Sequence, residues 1–419
     1  MNRTILDITE LESWQGKPTG VPRVINELSI RFNKDNSIVF VIWRETKNKY
    51  NVVDFNPEKT SNIGKNITSS RVWLEKINAK NVIKHIIRRS KATSRLTEII
   101  VRIIKEAKLK DASSTMANFS FMPDDVLLVM ADWHANDVNF AQYLQKQHAI
   151  GVSIVQIVYD LLPIVTPQYS GHATEYVTRY AKTIYPLCDL VITISENTKK
   201  DIVGWLKANK IKTPPIEVIR LGDDFHKVKS VKPEAINTTS MNNYILCVGT
   251  IEARKNHMLL YYVYKLAYKR NIKLPDLIIV GRVGWHAENV YEMLTCDPEV
   301  NNNIQIMQNI NDNELSWLYD NSLFTIYPSF YEGWGLPVAE SIRRGKVCLS
   351  SSTSSLPEIA GELINYFDPS STDECLESIV KLTNPITLKK AVEKIRNYKV
   401  TSWDDTFDAI WAIINRYEQ

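Results

Sequence analysis

Short apolar runs rich in Val and Ile recur along the chain and alternate with segments of helical period. Continuous apolar runs of this length between helices are typical of strands that are buried on both faces of a parallel sheet. The runs with this pattern are DDVLLVMAD (124–132), GVSIVQIVYD (151–160), CDLVITIS (188–195), NYILCVGT (243–250) and PDLIIVG (275–281). The pattern predicts an α/β protein with doubly wound parallel sheets.

A polar stretch without period, KVKSVKPEAINTTSMNN (227–243), is the best linker candidate. With 419 residues the chain is long enough for two domains. We expect an N-terminal Rossmann-like domain over residues 1–225 and a second one over residues 226–402, with the ligand site in a cleft at the carboxyl ends of their strands. Residues 348–369 predict a strand, a Ser-rich loop, a helical turn and a second strand, unless the whole segment is a loop.

Composition is that of a soluble globular protein, with 44% hydrophobic and 23% charged residues. No apolar run is long enough to span a membrane, and charges come early in the N-terminal sequence MNRTILDITELESW, so we expect a cytoplasmic protein. The five cysteines are scattered and contain no C-x-x-C pair, which argues against disulfides and a zinc site. We expect them to be buried as small apolar residues.

Positive charge is concentrated between residues 65 and 110, where thirteen Lys or Arg residues face three Glu, although the whole chain has a net charge of only +4. Apolar residues from Leu96 to Ile104 follow a helical period. Such a basic helical segment can lie on an anionic membrane surface. An ordinary helix pair packed on the N-terminal domain gives the same pattern. Aromatic residues are sparse in the segment, so we expect no nucleic acid partner.

The stretch YPSFYEGWGLPVAE (327–340) places two glutamates, Glu332 and Glu340, eight positions apart across a turn that contains two glycines. Glycine lets the backbone approach a ligand, and Pro337 suits the start of a helix. The free amides and positive dipole end of a helix start favour a phosphate or diphosphate. Carboxylates repel phosphate, so the glutamates should bind hydroxyl groups. A nucleotide sugar has phosphate between two sets of hydroxyls, although glutamates at this spacing also occur on solvated faces.

Two cations follow a predicted strand in NYILCVGTIEARKN (243–256), where Gly249 ends the strand and Arg254 and Lys255 lie just beyond it. Arginine and lysine at this place could neutralise a diphosphate leaving group. An exposed basic pair at a helix start is the alternative interpretation.

Polar and aromatic residues also follow predicted strands in the N-terminal half. In ADWHAND (131–137) an aromatic beside polar groups is a common platform for sugars, and a Trp that anchors the core is the alternative. The candidates at these strand ends are Gly20 in PTGVPRV (18–24), Asp132, Trp133 and His134, and Tyr159 and Asp160 in VYDLLPIVTPQY (158–169).

Several other chemistries lack their sequence patterns. The chain contains no G-x-G-x-x-G, no P-loop, no H-E-x-x-H and no G-x-S-x-G. It also lacks Asp-x-Asp, the usual carboxylate pair for a divalent metal on a nucleotide diphosphate. We therefore expect no metal and no cofactor, and we expect the nucleotide sugar to bind as a co-substrate that donates its sugar.

Taken in order, these segments resemble the retaining glycosyltransferases of family 4, which have the GT-B fold. The resemblance covers most of the chain, and its TGVPRV and YDLLP variants are most similar to bacterial transferases that build O-antigen or capsule polysaccharides. The segments are PTGVPRV, VYDLLPIVTPQY, DLVITISENTKKDI (189–202), VGTIEARKN, LIIVGRVGW, YPSFYEGWGLPVAES, LPEIAGE and SWDDTF (402–407).

The resemblance implies donor-binding roles. Glu340 would hold the ribose hydroxyls and Glu332 the donor sugar. Backbone amides of Gly335 and Leu336 would lie near the distal phosphate. The remaining donor-binding residues would be Gly20, Gly249, Thr250, Arg254 and Lys255.

The resemblance also implies catalytic roles for Glu332, Arg254, Lys255 and Asp160. Asp132, Trp133, His134 and Tyr159 would lie on the acceptor side. Many relatives have His where this chain has Tyr159, and Arg where it has Thr250.

The implied activity is transfer of a sugar, with mannose from GDP-mannose as the leading expectation, to a glycan or lipid-linked glycan acceptor. The last helix, residues 403–419, would cross back to the N-terminal domain. A GT-B sugar-nucleotide epimerase, a phosphorylase and a non-catalytic membrane adaptor remain alternatives.

Overall fold

A computed structural model of the chain describes residues 3–14, 20–35, 37–56, 118–132, 134, 137–171, 173–223, 229–234, 236, 243–284 and 287–417. The described residues form two compact units. The first contains Met1–Ile157 and Thr183–Leu190, and the second contains Val158–Lys182 and Val191–Gln419. The basic segment 65–110 lies outside the described residues, so its helical stripe stays a prediction.

Among the described residues, the first sheet has seven strands in the order β3-β2-β1-β4-β5-β6-β7. Thr4 in β1 pairs in parallel with Ile38 on one side and Val126 on the other. The strands are Thr4–Asp7 (β1), Ile38–Arg44 (β2), Lys49–Val52 (β3), Val126–Val129 (β4), Ser153–Val158 (β5), Leu190–Thr193 (β6) and Ile216–Val218 (β7).

One edge strand departs from the predicted parallel sheet. Strand β3 pairs antiparallel with β2. The turn between them ends at Asn48, which has a φ of 47°. Asn tolerates this left-handed conformation, so the chain can reverse within a few residues. The sequence KYNV of β3 alternates polar with apolar residues, and a search for continuous apolar runs does not detect it.

The second sheet, in the part of the chain that the structure describes, has six strands in the order β10-β9-β8-β11-β12-β13, and all their pairings are parallel. The order reverses between β8 and β11, which is the place where open α/β sheets bind ligands. The strands are Tyr244–Val248 (β8), Asp276–Val280 (β9), Ile304–Met307 (β10), Phe324–Tyr327 (β11), Cys348–Ser351 (β12) and Asn365–Phe367 (β13).

Helices connect the parallel strands, as an α/β fold requires. They are Thr9–Ser13 (α1), Val21–Phe32 (α2), Val138–Ala149 (α3), Leu162–Val165 (α4), Ala173–Ile184 (α5), Glu196–Ala208 (α6), His257–Lys269 (α7), Glu288–Cys296 (α8), Asp312–Asn321 (α9), Leu336–Arg343 (α10), Leu356–Ala360 (α11), Thr372–Thr383 (α12), Pro385–Ile395 (α13) and Trp403–Tyr417 (α14).

The structure confirms the predicted α/β fold with two Rossmann-like sheets. Each of the five apolar runs contains a strand, and residues 348–369 form strand, helical turn and strand rather than a loop. The last predicted helix also forms, as α14. The predicted domain boundary at residues 225/226 lies in a stretch of which only parts are described, and it stays a prediction.

Four of the five cysteines are buried, as expected. Cys296 is exposed, so the expectation was wrong for this residue. It is the last residue of α8, whose buried position is Leu294, and the end of a helix on the surface leaves its final residue in contact with solvent.

Candidate functional site

The glutamate-containing stretch follows strand β11 and ends in helix α10, as the sequence predicted. Gly335, the residue before the helix, has a φ of 120°, where residues with a side chain are rarely found. A Cβ atom on Gly335 would lie 2.6 Å from Leu356 Cδ2. Pro337 lies in the first turn, where its missing N–H leaves no hydrogen bond unmade. The local sequence therefore fixes where α10 begins.

The predicted cations and the first glutamate meet at the switch point of the second sheet. Arg254 and Lys255 end a short 3₁₀ turn that follows β8. Glu332 lies in the turn that follows β11, and these two strands are neighbours in the sheet. Because parallel strands end at the same edge of a sheet, Lys255 and Glu332 come into contact although they are 77 positions apart in the sequence.

Glu332 forms ion pairs with both cations. Lys255 Nζ lies 2.6 Å from Glu332 Oε1, and Arg254 Nη1 lies 2.8 Å from Glu332 Oε2. The Glu332 side chain is only 8% exposed. An ion pair at this burial is strongly coupled, since removing one partner leaves an uncompensated charge.

Hydrogen bonds from neighbouring groups fix this ion cluster. Tyr327 OH donates to Glu332 Oε1 at 3.0 Å and accepts a hydrogen bond from Lys255 Nζ. Arg254 also donates to the Tyr331 carbonyl at 3.1 Å, and Ser354 Oγ accepts from the Glu332 backbone amide at 2.9 Å. The cluster is therefore held by side chains and main chain together.

The charges of the cluster shift the pKa of each member. Burial raises the pKa of Glu332, but Arg254 and Lys255 outweigh burial and hold the pKa at about 2. Burial lowers the pKa of Lys255, and Glu332 opposes that shift only in part. Burial also acts to lower the pKa of Arg254, yet the nearby carboxylates raise it. Glu332 is therefore ionised at neutral pH.

Glu252 adds a second carboxylate to the same arginine. Its Oε1 lies 2.9 Å from Arg254 Nε. The two cations are thus already matched by two carboxylates, Glu252 and Glu332. A diphosphate that binds Arg254 and Lys255 must compete with these carboxylates. The sequence did not predict this competition.

Asp160 and Tyr159 lie beside the glutamate-containing turn. A Cβ atom on Gly333 would lie 2.2 Å from the Tyr159 carbonyl oxygen and 3.0 Å from Asp160 Cβ, so only glycine allows this approach. Burial raises the pKa of Asp160, with the Arg254 charge as the main opposing influence. Asp160 Oδ1 also accepts from the Leu162 amide at 3.0 Å, at the start of α4. The structure thus places Asp160 next to the ion cluster.

Gly249 and Thr250 follow β8, next to a second pair of glycines. A Cβ atom on Gly281 would lie 1.9 Å from the Gly249 carbonyl oxygen, and one on Gly284 would lie 2.5 Å from Thr250 Cγ2. Gly249 itself has a φ of 155°. A Cβ on Gly249 would meet Lys255 Cε at 3.9 Å. Both predicted donor-binding positions are therefore close to the cluster.

Glu340 lies on helix α10, which begins at Leu336. Tyr319 OH donates to Glu340 Oε2 at 3.2 Å. The carboxylate is half-buried, in contrast to the buried Glu332. The two glutamates of the sequence pattern therefore have different surroundings.

Gly20, Asp132 and His134 lie in the first unit. Gly20 precedes α2 with a φ of 59°, and open space surrounds the position that its Cβ would take. His134 is buried, and its Nε2 lies 2.6 Å from Asp7 Oδ2. Asp132 follows β4, and Trp133 lies outside the described residues. Asp7 thus holds one ring nitrogen of His134, and the acceptor-side roles stay predictions.

Sequence analysis missed two tyrosines of the site. Tyr327 was inside the quoted stretch, but it lies at the end of an apolar strand and resembles a core residue. Tyr319 lies 21 positions before Glu340, and no spacing pattern links them. Only the fold shows that both phenols contact the glutamates.

Among the described residues, no group of three or more His, Cys, Asp or Glu side chains is arranged to hold a metal ion. Metal independence stays a prediction. No helix in the described part of the chain has the length and apolar character needed to cross a membrane.

Comparison with known proteins agrees with this geometry. Residues 228–398 match the family model described as glycosyl transferases group 1. The match covers 171 of the 419 residues, all of them in the second unit. The matched region includes Arg254, Lys255, Glu332 and Glu340, so the whole ion cluster lies inside it.

Curated relatives of this chain are bacterial mannosyltransferases. The serotype-specific mannosyltransferase WbdA of Escherichia coli is 24% identical over 275 residues, 62% of this chain and 33% of the relative. The O-antigen chain mannosyltransferase B of Escherichia coli is 26% identical over 225 residues, 51% of this chain and 57% of the relative. The chain thus spans about a third of the first relative and over half of the second. The predicted resemblance to O-antigen mannosyltransferases is confirmed.

A solved structure supports the fold over the full length. Sucrose-phosphate synthase from Thermosynechococcus elongatus matches with a TM-score of 0.63, covering 99% of each chain at 13% identity. At this identity the likeness concerns the fold alone. The predicted GT-B fold is confirmed.

Proposed function

We propose that this chain is a retaining glycosyltransferase that moves a sugar from a nucleotide diphosphate donor to a hydroxyl group of a growing glycan. The observation that supports this most is the convergence of Arg254, Lys255 and Glu332 at the switch point of a group 1 glycosyltransferase domain. Two cations beside a helix start suit a diphosphate, and carboxylates suit sugar hydroxyls.

The cations have a catalytic role in this proposal. Negative charge builds on the departing diphosphate in an oxocarbenium-like transition state. Arg254 and Lys255 stabilise that charge, together with the amides at the start of α10. The diphosphate displaces the Glu332 carboxylate from the two cations, and Glu332 then binds the donor sugar.

Mannose is the proposed sugar and GDP-mannose the proposed donor. The support is the similarity to two Escherichia coli mannosyltransferases and the TGVPRV stretch of the sequence.

The proposed acceptor is a glycan or lipid-linked glycan of a surface polysaccharide. This acceptor would place the protein at the inner face of the cell membrane, with the basic segment 65–110 on anionic lipid. Sedimentation with anionic vesicles tests the membrane contact. Binding that survives charge reversal in residues 80–105 would contradict it.

The decisive experiment is a transfer assay with purified protein. A thermal-shift screen of nucleotide sugars first identifies a donor, because a ligand of the folded state raises the melting temperature. Release of nucleoside diphosphate should then require an acceptor, and NMR of the product should show the anomeric configuration of the donor.

The assay also distinguishes the alternatives. Conversion of the donor sugar without an acceptor would indicate an epimerase, and dependence on inorganic phosphate would indicate a phosphorylase. A protein that neither hydrolyses nor transfers from any donor in the panel would be an adaptor.

A further inference from the structure

Helix α9 presents a tyrosine to the second glutamate of the site. Tyr319 is buried at 1% exposure, and its hydroxyl donates to Glu340 Oε2 at 3.2 Å. This distance exceeds the usual O–H···O range of about 2.5–3.0 Å, and hydrogen bonds in sites without a ligand often tighten once the ligand binds. The hydrogen bond fixes one carboxylate oxygen of Glu340 and so defines the direction of the other.

Tyr319 is itself held in place by a stacked arginine and by the helix that carries it. The Arg344 guanidinium lies 5.3 Å from the centre of the Tyr319 ring, and Arg344 Nη1 donates to Ser316 Oγ at 2.8 Å. Helix α9 begins with a capping box between Asn311 and Glu314. A capped helix and a stacked cation leave the ring little freedom to turn.

The phenol remains a hydrogen-bond donor over the physiological pH range. Burial raises the pKa of Tyr319 far above its ordinary value, and the Glu340 charge raises it further. A neutral phenol that donates to a carboxylate forms a charge-assisted hydrogen bond.

We propose that Tyr319 is a positioning residue that gives the nucleotide site its preference for ribose over deoxyribose. The inference rests on the proposed function, to which we add the role that the family resemblance implies for Glu340, namely to hold the ribose hydroxyls. Two neighbouring hydroxyls can both donate to one carboxylate only when its plane is correctly oriented. Tyr319 sets that orientation, and deoxyribose lacks one of the hydroxyls that benefit from it.

Calorimetry with paired nucleotides tests the inference. The probes are GDP and 2′-deoxy-GDP, or the same pair for UDP, ADP or CDP if that base binds more tightly. We expect Tyr319→Phe to weaken binding of the ribonucleotide about fivefold to tenfold, the range of one lost hydrogen bond. The deoxynucleotide should lose little affinity. The dissociation constant of the deoxynucleotide divided by that of the ribonucleotide should therefore fall. In transfer assays the KM for the donor should rise while kcat stays near wild type.

Tyr244, the first residue of strand β8, offers a matched control because its hydroxyl contacts the same helix as Tyr319. It is fully buried, and its hydroxyl donates to the Leu318 carbonyl at 2.7 Å, next to Tyr319 but away from Glu340. Tyr244→Phe removes an equally buried phenol, and we expect it to leave the ribose preference unchanged. A purely structural role of Tyr319 would give the two variants the same result.

Two results would overturn the inference in distinguishable ways. If Glu340→Gln abolishes the ribose preference and Tyr319→Phe preserves it, the positioning role is wrong while the proposed function stands. If Glu340→Gln itself preserves the preference, the ribose role of Glu340 is wrong, and the inference fails with it. Arg344→Gln, which removes the stacked cation, should give an intermediate ratio, and it provides a second variant should Tyr319→Phe fold poorly.

Discussion

Lys255 Nζ lies 2.6 Å from Glu332 Oε1, although 77 positions separate the two residues in the sequence. The carboxylate therefore occupies the cation that the proposed function assigns to the diphosphate. Removing the carboxylate charge should free that cation for an anion.

We expect Glu332→Gln to bind inorganic pyrophosphate more tightly than the wild type, by roughly tenfold, the effect of about 1.4 kcal/mol. Sugar transfer should fall at the same time, because Glu332 no longer binds the donor sugar as a carboxylate. Isothermal titration calorimetry measures the first effect and the transfer assay the second.

Glu362 provides the control for this prediction, since it is an exposed carboxylate in the same unit. Glu362→Gln changes the net charge by the same amount as Glu332→Gln. It should leave both the pyrophosphate affinity and the rate of sugar transfer unchanged. Weaker pyrophosphate binding by Glu332→Gln would show that the carboxylate assists the cations rather than competing with the ligand.

Replacement of both cations by alanine should lower turnover more than donor affinity. The physical reason is that charge on the diphosphate increases in the transition state, so the cations bind it more strongly there. Arg254→Ala with Lys255→Ala leaves Glu332 buried without a partner, which costs on the order of 3–5 kcal/mol. Both proteins in the comparison should therefore carry Glu332→Gln. The reference protein has this change alone, and the test protein has it together with the two alanine substitutions.

Steady-state kinetics gives kcat and KM for the test protein and the reference protein. Their melting temperatures confirm that both proteins fold. Near-normal turnover in the protein without the two cations would remove them from the catalytic step.

Gly333→Ala should destabilise the protein by about 1–3 kcal/mol, as overpacking of a tight contact does. Its Cβ would lie 2.2 Å from the Tyr159 carbonyl oxygen, which belongs to the backbone and cannot easily move. Gly204 in α6 has no neighbour within 4 Å of its Cβ position. Gly204→Ala should leave stability unchanged or raise it by up to about 1 kcal/mol. Equal melting temperatures for the two variants in thermal unfolding would contradict the close approach at Gly333.

The pH dependence of stability should include a contribution from Glu10. Burial raises the pKa of Glu10 to about 7, assisted by the negative charges of Asp132 and Asp7. The folded state therefore holds a proton that the unfolded chain releases near pH 4.5. This contribution to stability is complete below pH 4.5 and is lost as the pH rises through 7.

We expect Glu10→Gln to match the wild type at pH 5 and to exceed its stability by about 1–3 kcal/mol at pH 8. Melting temperatures at the two pH values give the difference. Glu45→Gln, which changes an exposed carboxylate of the same unit, should show no such dependence. A Glu10→Gln protein that is no more stable than the wild type at pH 8 would contradict the raised pKa.

The sequence by itself determined several of the strands and the start of the helix in the site. Continuous Val- and Ile-rich runs identified five strands because burial on both faces of a sheet requires such runs. Gly335 and Pro337 identified the start of α10 because local backbone geometry limits which residues fit there. The antiparallel strand β3 was missed because half of its residues are polar.

Only the tertiary structure decided which charges meet. The pairing of Glu332 with Arg254 and Lys255 depends on β8 and β11 being neighbours in the sheet. Local sequence patterns do not predict the order of strands in a sheet. The contact of Tyr319 with Glu340 depends likewise on where α9 packs beside α10. Periodicity and turn residues act over a few positions, whereas an ion pair across 77 positions exists only after the sheet has assembled.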